Sequence, residues 1–223
     1  DKPSGRGQQL RTSAVKQFAL ENSIKVLQPL KLKSPEFLEE LKNLNADLFI
    51  VIAFRMLPKE VWQMPTLGTF NIHGSLLPNY RGAAPINWAI INGDIKTGVT
   101  SFFINEEIDS GKMIDSISVN ISNEDSAGSL HDKLMKAASE LVIQTTELIS
   151  KGNLSVKSQE LIGKEKPAPK IFKGDCEIDW SKPINEVYNL IRGLSPYPVA
   201  WSHLYKENSK IGQLRIYTTS VVS

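Results

Sequence analysis

The sequence predicts an α/β protein: an open, mostly parallel, Rossmann-like sheet with helices on both faces, followed by a linker and the start of a further domain. Three observations carry this. Short apolar runs bounded by turn residues alternate with stretches of helical periodicity, as in a sheet covered by helices. One run, residues 48–54 (LFIVIAF), is apolar without a break, as a strand buried on both faces requires. After residue 151 the periodicity stops in a stretch rich in Lys and Pro, then resumes as one short helix and short strands.

The elements follow in order. Residues 1–11 (DKPSGRGQQLR) lack apolar periodicity and read as a loop. Ala14, Val15, Phe18 and Ala19 recur at helical spacing behind Thr12 and Ser13, which can cap a helix. Ser34-Pro35-Glu36 opens a second helix whose stripe is Phe37, Leu38, Leu41 and Leu44. Strand 48–54 is followed by a short helix over 58–64, a strand over 69–73 and a helix over 85–92 that Gly93 ends. Strands are predicted over 98–104 and 114–121, joined through the turn Asp109-Ser110-Gly111. A long helix over 129–150 presents Leu130, Leu134, Ala137, Leu141, Thr145 and Leu148 on one side. The linker is 152–176. Residues 177–223 hold a helix over 184–192, a turn at Ser195-Pro196-Tyr197-Pro198 and strands over 201–205 and 214–217, too little for a domain with its own core.

Composition narrows the function classes. No apolar stretch approaches the ~20 residues of a membrane helix. A single cysteine, Cys176, excludes an internal disulfide framework and suits a reducing compartment. The polar, Gly-containing opening is unlike a signal peptide, and a first residue of Asp leads us to expect a piece of a longer protein. Overall charge is +2, yet residues 1–33 carry seven basic residues against two acidic, leaving −3 for the remainder. That asymmetry fits an anionic partner at the N-terminal segment, and equally a solvated basic face.

Three polar residues carry the candidate chemistry. Asn71 and His73 alternate at the end of a predicted core strand, so they share a face, and strand ends border the ligand crevice of open α/β sheets. Asp109 lies in a turn between two other strands. An amide, an imidazole and a carboxylate together can run acyl transfer to an amine. Asn71 would donate to the carbonyl oxygen as it gains charge, His73 would shuttle a proton, and Asp109 would orient His73. Spacing alone leaves the plainer alternative open: a strand-end histidine held for structural reasons and an ordinary Asp-Ser-Gly turn.

The run Asn71-Ile72-His73-Gly74-Ser75-Leu76-Leu77-Pro78-Asn79-Tyr80-Arg81-Gly82-Ala83-Ala84-Pro85-Ile86 resembles the signature of the folate-dependent formyltransferases. Gly98-Val99-Thr100 and Ile108-Asp109-Ser110-Gly111 match in order and spacing. The resemblance implies the catalytic set Asn71, His73 and Asp109. It implies a folate site formed by Arg55, Met56, Leu57, by Ser75, Leu76, Leu77, Pro78, and by Asn105, Glu106, Glu107, Ile108. The opening Asp1-Lys2-Pro3-Ser4-Gly5-Arg6-Gly7 is similar to the loop with which tRNA-directed members enter the acceptor arm, so Lys2, Arg6 and Arg11 are expected to meet RNA. Ala168-Pro169-Lys170-Ile171, Ile178-Asp179-Trp180 and the stretch from Ile191-Arg192 to Pro198 resemble the approach to a C-terminal β-barrel domain. Members begin some tens of residues earlier and complete that barrel, so 1–151 is expected to be an incomplete catalytic domain and 177–223 the beginning of the barrel.

The implied activity is formyl transfer from N10-formyltetrahydrofolate, without metal, to the α-amine of initiator methionyl-tRNA, by a cytoplasmic monomer. Arg55 departs from the Tyr-Gly of many tRNA-directed relatives and matches the ribonucleotide-directed ones, which keeps another amine or water in play as acceptor. A pure nucleic-acid-binding module is the alternative outside enzymes, and it has no use for the Asn71, His73, Asp109 set.

Overall fold

The computed structural model describes residues 2–4, 9–52, 56–207 and 209–221, with the backbone alone for 2–4 and 9–11. Contacts divide the chain into two compact units, Asp1–Asn45 and Ala46–Ser223.

In the first unit, residues read as loop form a small antiparallel hairpin, β1 (Lys2–Ser4) with β2 (Gln9–Arg11), Pro3 facing Leu10. Among the described residues the two strands form a sheet of their own, and three residues each is too short a run for a period-2 pattern to reveal them. Helices α1 (Ala14–Glu21) and α2 (Pro35–Lys42) start where the capping residues predict. Ser13 accepts from Lys16 N at 3.2 Å, and Ser34 accepts from Phe37 N at 3.3 Å with Pro35 in the first turn.

The second unit is built on a four-stranded sheet in the order β3 (Phe49–Val51), β4 (Thr69–His73), β5 (Lys96–Phe103), β6 (Met113–Asn120). The layered α/β architecture is the expected one, but the sheet is mixed: among the described strands only β3 and β4 run parallel. The reason is in the connections. The nine residues between β5 and β6 cannot hold a parallel crossover, which needs a dozen or more. The link from β4 to β5, with α4 (Pro85–Ile91), leaves and returns at the His73 end of the sheet.

Helix α5 (Ala127–Ser150) covers the face that carries Phe70, Ile72 and Val99. Its Leu130, Leu134, Ala137 and Leu141 are buried as predicted, and Ile149 rather than Leu148 completes the stripe. Each fully buried leucine contributes about 1.5–3 kcal/mol. Thr145, also on that face, reaches Ser101 across the interface, Oγ1 to Oγ at 2.8 Å, so neither buried hydroxyl is orphaned. The opposite face of β4 meets the short helix α3 (Lys59–Trp62), where Thr69 donates to the Trp62 carbonyl, and carries Asn71 and His73 at its end.

The C-terminal residues build on the same unit. A 3₁₀ turn at Gly174–Cys176 leads to α6 (Ile184–Gly193), which docks on α4 through Asn87 Nδ2 donating to Gly193 O at 2.7 Å. The hairpin β7 (Ala200–Lys206) and β8 (Ser209–Ile216) follows, packed over Cys176, Ile178, Ile191 and Leu194. The stretch 152–176, read as a linker, is bonded to the sheet unit at four places. Lys157 bridges Met113, Gln159 meets the 109–111 turn, Tyr80 N donates to Lys166 O at 2.6 Å, and Ala168 pairs with Gly82. It lacks periodicity because it is bonded at scattered single positions, to the first residue of β6 and to loops.

Candidate active site

A cavity of about 630 Å³ opens at the carboxyl end of β4. Asn71, His73 and Asp109 all line it, from two strand positions and a turn 36 residues further on. Val51, Ile52, Phe102, Ile104 and Ile108 give it apolar walls, and 82–87 close another side.

His73 is buried, and its Nε2 lies 2.7 Å from the Tyr80 carbonyl oxygen. A carbonyl only accepts, so Nε2 carries the hydrogen and the lone pair of the neutral ring is on Nδ1. Nδ1 in turn is 3.7 Å from Asp109 Oδ2, too far for a hydrogen bond and near enough for the carboxylate to stabilise a proton gained there. Asp109 Oδ2 accepts from Gly82 N at 3.0 Å. Asn71 Oδ1 is buried without a hydrogen-bond partner among the described residues, a costly state that a ligand polar group would relieve.

The turn that aims Asp109 depends on special backbone. Asp109 sits at φ +51, and a Cβ on Gly111 would lie 1.6 Å from the Phe103 carbonyl oxygen, so only glycine permits this approach. Gly82, at φ +122, likewise presses against Ala168 O, 2.5 Å from where a Cβ would stand. Tyr80 at φ +60 is braced by its phenol, which donates to Asp94 Oδ2 at 2.7 Å. Burial, reinforced by Asp94, pushes that phenol's pKa up, and the hydrogen bond to Asp94 raises that of the Lys166 ammonium. On the rim, the hydrogen bond from Lys59 holds the Glu106 carboxyl below its ordinary range.

Of the residues expected at a folate, Met56, Leu57, Asn105, Glu106, Glu107 and Ile108 line this same cavity. Ser75, Leu76, Leu77 and Pro78 do not line it. They turn under it: Ser75 is fully buried and donates to Asn79 O at 2.6 Å, Thr100 Oγ1 bridges Ser75 O and Leu77 N, and Leu76 fills the space left by Gly98. Arg55 and Arg6, and the side chains of Lys2 and Arg11, lie outside the described residues. Sequence reasoning passed over the Tyr80 carbonyl, the 82–87 wall and Gln159. The small-residue run Gly82-Ala83-Ala84 was the available signal for close backbone approach. Among the described residues, no group of three or more His, Cys, Asp or Glu could hold a metal ion, and no helix is long and apolar enough to cross a membrane.

An amide, a histidine and a carboxylate meet at the strand end of this sheet, and the chain belongs to the formyl transferase family: the formyl transferase model matches residues 1–146 and the formyl transferase C-terminal domain model residues 170–223. Along its whole length the chain is 55% identical over 222 residues to the methionyl-tRNA formyltransferase of Flavobacterium johnsoniae, of which it spans 70%. Among solved structures, a sugar N-formyltransferase from Shewanella shares the fold at TM-score 0.71 and 20% identity, over 92% of this chain and 81% of that one. The N-formyltransferase of Helicobacter canadensis, solved in complex with folinic acid and dTDP-3-aminofucose, matches at TM-score 0.68 and 24% identity, over 87% and 68%.

Proposed function

We propose that this chain carries the transfer of a formyl group from N10-formyltetrahydrofolate to the α-amine of initiator methionyl-tRNA. What supports it is the meeting of Asn71, His73 and Asp109 in one cavity, in a chain 55% identical to a methionyl-tRNA formyltransferase. The cavity suits a folate: its volume falls in the range of small-ligand pockets, its walls are apolar, and Asn71 Oδ1 in its lining is buried without a hydrogen-bond partner among the described residues. Met56, Leu57 and the 105–108 segment would flank the pterin, with Arg55 beside them, while the 75–78 turn would hold the floor in shape from below.

Formyl-folate supplies the one-carbon group, and the chain's own residues do the rest. Asn71 donates its amide N–H to the formyl oxygen as negative charge gathers there, worth about 10²–10³ in rate. His73 would accept the amine's proton at Nδ1, beside Asp109, and return it to N10 as the formyl C–N10 bond breaks and tetrahydrofolate leaves. An α-amine titrates near ~8, so little help is needed to make it nucleophilic. Lys2, Arg6 and Arg11 would meet the RNA, with Arg6 between two glycines that let the backbone come close to phosphate or base. The protein would act as a cytoplasmic monomer.

The test is a formylation assay on the whole protein with charged initiator tRNA and, separately, amino-sugar nucleotides. Formylmethionyl-tRNA as product supports the reading; formylation of the sugar alone overturns it. Arg6→Ala should weaken tRNA affinity increasingly with salt and leave folate binding unchanged. Parent-like affinity and turnover would remove Arg6 from the RNA contact.

A further inference from the structure

Gln159, in the segment between the two family matches, has a fully determined side chain. Its Nε2 donates to Asp109 O at 2.9 Å and to Gly111 O at 2.8 Å, while its Oε1 accepts from Arg81 Nε at 2.9 Å and from Arg81 Nη2. The amide cannot be reversed, because the guanidinium only donates and the two carbonyls only accept. Arg81 immediately follows Tyr80, whose carbonyl receives the His73 Nε2 hydrogen, and precedes Gly82, whose N–H holds the Asp109 carboxylate. The side chain of Gln159 therefore ties the turn that carries Asp109 to the loop that fixes His73.

We propose that Gln159 is a positioning residue: by clamping the 109–111 turn to Arg81 it sets the separation of Asp109 from His73, and with it the stability of the proton that His73 takes up. The idea rests on the formyl-transfer reading and extends it to a residue of the connecting segment. Asp109 is at φ +51, where a non-glycine residue stays only if its surroundings hold it, and no strand or helix does so. Gly82 N restrains the carboxylate and Gln159 restrains the backbone behind it. With the clamp gone, the 3.7 Å gap is free to widen.

The experiment uses the whole protein and the variants Gln159→Ala, Gln159→Glu and, as a control on the exposed side of α5, Gln144→Ala. Gln159→Glu keeps the acceptor for Arg81 and loses both donated bonds, so it separates the clamp from mere bulk. Both Gln159 variants are expected to lower kcat by about 10- to 100-fold, with KM for tRNA and formyl-folate within about twofold and an unchanged melting temperature. In an Asp109→Asn background Gln159→Ala should cost less than about twofold more, since groups acting as one unit fail together. Parent-like kcat in Gln159→Ala, or its full loss persisting in the Asp109→Asn background, overturns the proposal. A substrate-free readout keeps the two readings apart: the ¹⁵N imidazole spectrum, in which the His73 signals are assigned by their loss in His73→Ala. The His73 Nδ1 resonance should move in Gln159→Ala and stay in Gln144→Ala. A parent that fails to formylate charged tRNA sinks the function proposed above, and Gln159 then stands or falls on that resonance, which if unmoved refutes the clamp.

Discussion

Asn71 and His73 stand on β4, while Asp109 stands in an irregular turn, and the two halves of the site are held by different physics. Asn71 is paired on both sides, with Val51 of β3 and Phe102 of β5, and His73 with Thr100 of β5, over a face filled by α5. Their geometry survives most single changes, because many contacts share the load. The Asp109 turn has no such averaging. It rests on a few contacts: the glycine approach at Gly111, the Ser110 hydroxyl donating to Asn105 Oδ1, the backbone donor at Gly82 and the clamp at Gln159. A site assembled this way places one group robustly and tunes its partner through a handful of replaceable contacts.

That contrast can be broken by experiment. His73→Ala should lower turnover by about 10²–10⁴ while folate and tRNA binding stay near parental; near-normal turnover would mean that the strand end is not where the chemistry occurs. Gly111→Ala should cost about 10² in turnover, since the new methyl must push the turn off the Phe103 carbonyl. Gly174→Ala, with open space around it, should change nothing, and equal effects from the two would dissolve the distinction drawn for the turn. Leu141→Ala, beneath the sheet, should lower stability by about 2–5 kcal/mol and leave kcat per folded molecule unchanged. A large drop in kcat there would show that β4 is less robust than its ladder suggests.

The smallest effect concerns acid. Burial pushes the Asp125 carboxyl up, but the Lys133 ammonium and donors from Ser122 and Ser129 outweigh it and bring its pKa from the ordinary 3.8 to about 2. A folded-state value below the unfolded one stabilises the native form fully above pH 3.8, and that stabilisation is lost as pH falls toward about 2. Asp125→Asn should therefore flatten the stability curve in that window, by about 2 kcal/mol, as urea midpoints across the range would record. An unchanged slope would remove Asp125 from the acid response.

What the sequence made readable follows the same divide. The 69–73 strand, the α5 stripe and the caps at Ser13 and Ser34 are periodic or local signals, and they appear within a residue or two of expectation. Asn71 and His73 inherit their shared face from strand periodicity, so the cavity wall they form could be anticipated. The antiparallel β5–β6 pair was readable from its nine-residue connection, but the direction of β5 against β4 was not, because it depends on which end a long connection returns to. The Tyr80 carbonyl and Gln159 were invisible for a related reason: backbone acceptors carry no residue identity, and an amide in a Lys- and Pro-rich stretch has no pattern that announces a partner 50 residues back.

The doubly anchored segment between the two family matches also limits how the gene can drift. Lys157 and Gln159 fasten one end, Lys166 and Ala168 the other. An added or deleted codon at either anchor slides every partner by one position, whereas residues 160–164 between the anchors are exposed. Length variation among descendants of this gene, or a tag spliced in at the bench, is expected to settle between the anchors or ahead of them, where it leaves the carboxylate in tune.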